Sequence, residues 1–115
     1  MRATLVELVP EFVAELEAAL RVVGHTELSA EVPLAELDRW AFDESCDAVY
    51  LYVSAGRELN AIEKSIIGVK HGQTIPVGHR YWVNVDTDNF GRLRGIEVLN
   101  GRELAAKLGP AINPN

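Results

Sequence analysis

The chain has 115 residues, 48% of them hydrophobic and 24% charged, which suits one globular domain and excludes a disordered segment. Its net charge of −6 has the wrong sign for a protein that coats phosphate backbones, so no nucleic acid is expected as a partner. A single cysteine excludes an internal disulfide framework and points to a reducing, cytoplasmic setting; no apolar run reaches the roughly 18 to 20 residues that span a bilayer, and Met1-Arg2-Ala3 is not expected to open a signal peptide.

The first element in chain order is a helix over about 10–23. Phe12, Val13, Leu16, Ala19, Leu20 and Val23 recur at spacings of three and four, with Glu11, Glu15 and Glu17 on much of the other side. Pro10 suits a first helical position and Gly24 a stop. Thr4 and Glu7 carry a capping-box pattern for an earlier start. A helix running through Pro10 would lose about 3 kcal/mol, so a short turn at 4–8, bent into the main helix, is expected.

Beyond Gly24 the period changes to two. Leu28, Ala30, Val32 and Leu34 predict a weak edge strand containing Pro33, and Arg39 to Phe42 a short strand. The turn formers Asp43 to Asp47 lead into a strand over Ala48–Ser54, with Val49, Leu51 and Val53 on one face and Tyr50 and Tyr52 on the other. A third strand is read over Ile62–Lys70, a loop over His71–Gly78, a fourth strand over His79–Asp86 and a fifth over Leu93–Leu99. Arg102 to Leu108 predicts a short closing helix before Gly109-Pro110, and residues 110–115 a flexible tail. The expected fold is α+β and a single domain over 1–109: an antiparallel β-meander of about five strands at 39–99, the N-terminal helix packed on one face, and a short C-terminal helix.

Several motifs invite chemistry. Counting from Asp86, Asp88 is third, Gly91 sixth and Glu97 twelfth, the outline of a calcium loop. Phe90 takes the fifth place, where an oxygen is needed, and the flanks alternate with period two, so a plain β-turn is expected. His71 and His79 stand eight apart; a metal would require them to converge with a carboxylate such as Glu63, and no ligand pair has close spacing. Cys46 lies between Ser45 and Asp47, whose charge opposes a thiolate. No metal, cofactor or catalytic residue is therefore expected. Gly95, inside a strand, marks a bulge or the close approach of another backbone.

Two stretches resemble a small bacterial family known as domain of unknown function 2283. Phe42-Asp43-Glu44-Ser45-Cys46-Asp47-Ala48-Val49-Tyr50-Leu51 is similar to the family's opening hairpin. Val83-Asn84-Val85-Asp86, followed by Gly91-Arg92-Leu93-Arg94-Gly95-Ile96-Glu97-Val98-Leu99, is similar to its second hairpin. The resemblance covers roughly 40–108. It brings no established activity; members placed beside small toxin-like genes imply an antitoxin-like role.

Residues 1–56 hold three basic and eleven acidic side chains, and residues 57–115 eight basic and six acidic ones. That asymmetry suggests a positively charged partner, either a small basic protein or a second copy of the chain. With Tyr50 and Tyr52 as candidate interface residues, the leading expectation is a non-enzymatic module that forms a homodimer through an apolar outer face. The alternative is a small enzyme or ligand-binding domain using the 71–80 loop, with His71, His79 and Arg80 converging on one point.

Overall fold

The computed structural model describes residues 3–55 and 58–109. Thr4 caps a first short helix, α1 (Leu5–Leu8): its hydroxyl accepts from the Glu7 N–H, and the Glu7 carboxylate accepts from the Thr4 N–H at 3.1 Å. Pro10 then opens α2 (Pro10–Val22), which buries Phe12, Val13, Leu16 and Leu20. Gly24 follows with φ +88°, the left-handed turn a glycine adopts freely.

The strand expected at 28–34 is instead α3 (Thr26–Glu31), continued by a 3-10 turn at Val32–Leu34. Leu28 and Val32, four apart, pack inward while Ala30 and Leu34 are exposed, so the period of two was an accident of spacing. Ser29 anchors α3 by donating to the Glu17 carbonyl at 2.9 Å.

The five strands are β1 (Glu36–Asp43), β2 (Ala48–Ser54), β3 (Val69–Val77), β4 (Tyr81–Asp88) and β5 (Leu93–Leu99). All neighbours are antiparallel, in the order β1-β2-β5-β4-β3. The chain thus leaves β2, crosses to the far edge for β3, and fills the centre last with β5. The short helix α4 (Ala61–Ser65) lies in the crossing segment, and α5 (Arg102–Leu108) closes the fold, burying Leu104, Ala105 and Leu108. The fold is α+β.

The third and fourth elements of the sheet also correct the sequence reading. Residues 62–65 are helical because Asn60 and Glu63 form a capping box, with Asn60 Oδ1 accepting from the Glu63 N–H at 2.9 Å. The stretch 71–77, expected as a loop, is most of β3. Its Gly72 and Pro76 read as breakers, yet β3 is an edge strand, where a proline without an N–H and a bulge are both tolerated. His79 and Arg80 fall in the β3–β4 turn and not in a strand. The expected tail at 110–115 lies outside the described residues.

One face of the sheet supplies Leu37, Trp40, Val49, Leu51, Val53, Ile75, Val77, Tyr81, Val83, Val85, Ile96 and Val98 to a single core with α1, α2 and α5. Phe12 of α2 meets Tyr81 edge to face, ring centroids 5.5 Å apart. Residues 3–5 shield the start of edge strand β1, through Leu5 N–H to Ala35 O and Leu37 N–H to Ala3 O. Among the described residues no helix is long and apolar enough to cross a membrane.

Candidate functional site: the outer face of the sheet

Because successive side chains on a strand alternate, register determines which residues meet on the face away from the helices. One row takes a residue from every strand: Arg39, Tyr52, Gly95, Asp86 and His71. The next holds Ala41, Tyr50, Glu97, Asn84 and Thr74, and the third Asp43, Ala48, Leu99, Trp82 and Pro76. The face is therefore two polar rows beside one that is apolar except for Asp43, not the uniformly apolar surface that the interface reading expects.

Asp86 is the centre of the first row. It is only 3% exposed, and a buried carboxylate requires partners on both oxygens. The Tyr50 hydroxyl donates to Oδ2 at 2.5 Å, and His71 Nδ1 lies 2.8 Å from Oδ1. An ionised carboxylate only accepts, so Nδ1 carries a hydrogen in this contact. Tyr50 reaches Asp86 by crossing β5 above Gly95, where a Cβ would stand 2.0 Å from the phenol oxygen. The close approach that Gly95 signals is thus a side chain and not a backbone. Burial first, then the bond to Asp86 and its charge, push the Tyr50 phenol far above its ordinary pKa. Tyr50 is a fixed neutral donor, unsuited to act as a base.

The tyrosine rings pack at 4.6 Å between centroids, and the Arg39 guanidinium lies 3.7 Å over the Tyr52 ring. This chain of contacts runs from one sheet edge to the other. Trp82, 49% exposed, stands in the apolar row beside Leu99 and Pro76. The other aromatics belong elsewhere: Trp40 and Tyr81 are buried in the core, and Phe42 is packed against it.

The candidate ligand loop does not assemble. His71 lies near the start of β3 and His79 in the turn beyond its far end, about 20 Å away for an extended run between them. His71 belongs to the Asp86 cluster, whereas Arg80 pairs with Glu103 of α5 and His79 borders a hollow with Glu15 and Lys107. Glu63 is engaged in its capping box. Asp86 and Asp88 serve different structures: Asp88 accepts from the Phe90 N–H at 2.9 Å and the Arg92 N–H at 3.0 Å, closing the β4–β5 turn. Among the described residues no group of three His, Cys, Asp or Glu side chains is arranged for a metal. Cys46 is exposed in the β1–β2 turn. Its thiol is pushed above the ordinary value by desolvation first and then by Asp43, rather than by Asp47.

Sequence reasoning missed Asp86 as a buried partner of Tyr50 and His71. The available signal was a glycine in one strand of a hairpin opposite an Asp in the other. Comparison with protein-family models, with curated proteins and with solved structures finds no match for this chain.

Proposed function

We propose that the chain is a small, non-enzymatic interaction module that pairs with a second copy of itself through the outer face of the sheet. The observation that carries this reading is the row from Arg39 to Asp86 and His71, which crosses an uncovered face already rigid in its aromatic groups. A two-fold axis parallel to the strands would lay β1 of one copy over β3 and β4 of the other. The exposed Trp82 would be covered at the same time. Rigid aromatic groups lose little entropy on association.

The acidic balance of residues 1–56, together with the resemblance of two hairpins to the domain of unknown function 2283 family, supports an antitoxin-like setting with a small basic protein as a further partner. The exposed, unpaired Cys46 is in keeping with a cytoplasmic location.

Five strands at about 4.8 Å spacing, each seven to nine residues long, give a face of roughly 600 Å² in projection, below the usual 800 Å² per partner of tight complexes. The dimer should accordingly be a weak, exchanging one. Light scattering after size exclusion, from about 1 to about 200 µM, should show mass rising toward twice 12.7 kDa. Trp82→Glu should remain monomeric with an unchanged circular dichroism spectrum. A wild-type chain monomeric throughout that range would overturn the reading.

A further inference from the structure

The opposite side of β3 carries a feature that the outer face does not use. Between the pairs His71–Asp86 and Thr74–Asn84, Gly72 and Gln73 together oppose the single residue Val85. This is a β-bulge, and bulges re-aim an edge strand. Gly72 is required there, since a Cβ would lie 2.7 Å from the Val85 carbonyl oxygen. The bulge stands opposite the end of α2, and a cleft of about 170 Å³ lies between them.

The walls of the cleft are apolar: Leu20 and Val23 from the end of α2, Leu28 from α3, Ile75 and Val85 from the sheet. Its polar lining consists of His25, Lys70, His71, Gln73 and Thr87, and contains no carboxylate. In a chain with 17 acidic against 11 basic side chains, that composition selects for an anion. Three carbonyls at the end of α2 are turned to backbone partners and not to the cleft: Ala19 O to the Val23 N–H, Arg21 O to the Gly24 N–H and Leu20 O to the His25 N–H. Asp86, the buried carboxylate that touches His71 of the lining, is matched by its bonds to His71 and Tyr50.

Size sets the other half of the ligand. An apolar cavity of about 150 Å³ accommodates one benzene ring, so this cleft has room for one ring or one branched alkyl group. We propose that it binds a small aromatic or branched aliphatic carboxylate, the hydrocarbon against Leu20, Leu28 and Val85 and the carboxylate at the mouth beside Lys70. The occupant is thus a metabolite-sized acid rather than a protein segment, and the cleft meets the outer-face row only at His71.

The test is a titration of the isotope-labelled protein with sodium benzoate, read from backbone amide shifts, with benzylamine as the cationic counterpart. Benzoate should saturate with a dissociation constant of about 0.1 to 1 mM, within reach of so small a ligand. The shifts should centre on Val23, Leu28, Gly72 and Val85, and benzylamine should produce none of them. Lys70→Gln, a change at an exposed side chain, should weaken benzoate about tenfold, and Leu28→Trp should fill the cleft and abolish binding. Should Leu28→Trp fail to fold, Lys70→Gln decides. Shifts that never saturate, equal shifts with benzylamine, unchanged affinity in Lys70→Gln, or shifts centred on Tyr50 and Trp82 would each overturn the proposal.

Discussion

Gly95 inside β5 and Gly91 in the β4–β5 turn are required for two different reasons. At Gly95 a Cβ would meet the Tyr50 ring, 2.5 Å from Cζ as well as 2.0 Å from the oxygen. Gly95→Val should destabilise by about 3 kcal/mol, from overpacking and from a buried carboxylate losing its donor. A double-mutant cycle in urea isolates the cause: Gly95→Ala should cost about 2 kcal/mol in the wild-type chain and almost nothing beside Tyr50→Ala. Equal costs in both backgrounds would separate the two residues. At Gly91 nothing lies within 4 Å, and the constraint is φ +78° alone; there Gly91→Ala should cost about 1 kcal/mol whatever occupies position 50.

Two carboxylates near the β4–β5 turn titrate in opposite senses. Burial works to raise Asp88, but the N–H groups of Arg92 and Phe90 and the Arg92 side chain outweigh it, and its pKa ends below the ordinary value. A depressed carboxylate contributes stability that is present above its unfolded value, about 3.9, and is lost as pH falls through its folded value. Glu31 is raised, by burial first and then by the charges of Asp88 and Glu27. Its contribution is present below its unfolded value, about 4.3, and fades as pH rises through its folded value. Urea midpoints measured against pH should therefore show Asp88→Asn losing stability at neutral pH and flattening the acid limb. Glu31→Gln should raise the neutral midpoint, since a buried Glu31 oxygen has no hydrogen-bond partner. The reverse order of these two variants would contradict the assigned directions.

Among the elements, those with a buried stripe were legible. Helix α2 shows its period in Phe12, Val13, Leu16 and Leu20, and β2 and β5 alternate because one face of each meets the core. What failed has a common cause. Helix α4 buries no residue and β3 buries only Ile75 and Val77, so neither writes a hydrophobic period into the chain. The order of strands was likewise hidden, because pairing β2 with β5 depends on contacts more than forty residues apart. Of the candidate site, the shared face of Tyr50 and Tyr52 followed from alternation, whereas Asp86 and His71 joined them only through register. Since α4 rests on its cap and not on packing, Asn60→Ala should remove about 1 kcal/mol from the local helix. Hydrogen exchange at 61–66 should accelerate several-fold while the global urea midpoint stays within the scatter of replicate measurements; a clear global loss would reveal packing that the exposed Ile62 and Ile66 do not show.

Taken whole, the molecule has one core, and every strand contributes to it. Its sheet is completed by β5, which pairs with β2 on one side and β4 on the other. Equilibrium unfolding should accordingly be a single cooperative transition, with fluorescence of the buried Trp40 and far-ultraviolet dichroism coinciding. Separate midpoints would mean that the β1–β2 and β3–β4 hairpins hold together without β5.

The central strand is also the last of the five to leave the ribosome. Until residues 93–99 clear the exit tunnel, the inner edges of β2 and β4 lack the strand that joins them, and their backbone N–H and C=O groups offer a template to any passing strand. Arrested chains ending at Arg92 should remain sensitive to protease, and those with β5, α5 and a tunnel-length linker exposed should become resistant. During synthesis, then, this chain has its hairpins unjoined until β5 emerges, and its vulnerability to aggregation is concentrated before a seven-residue insertion event.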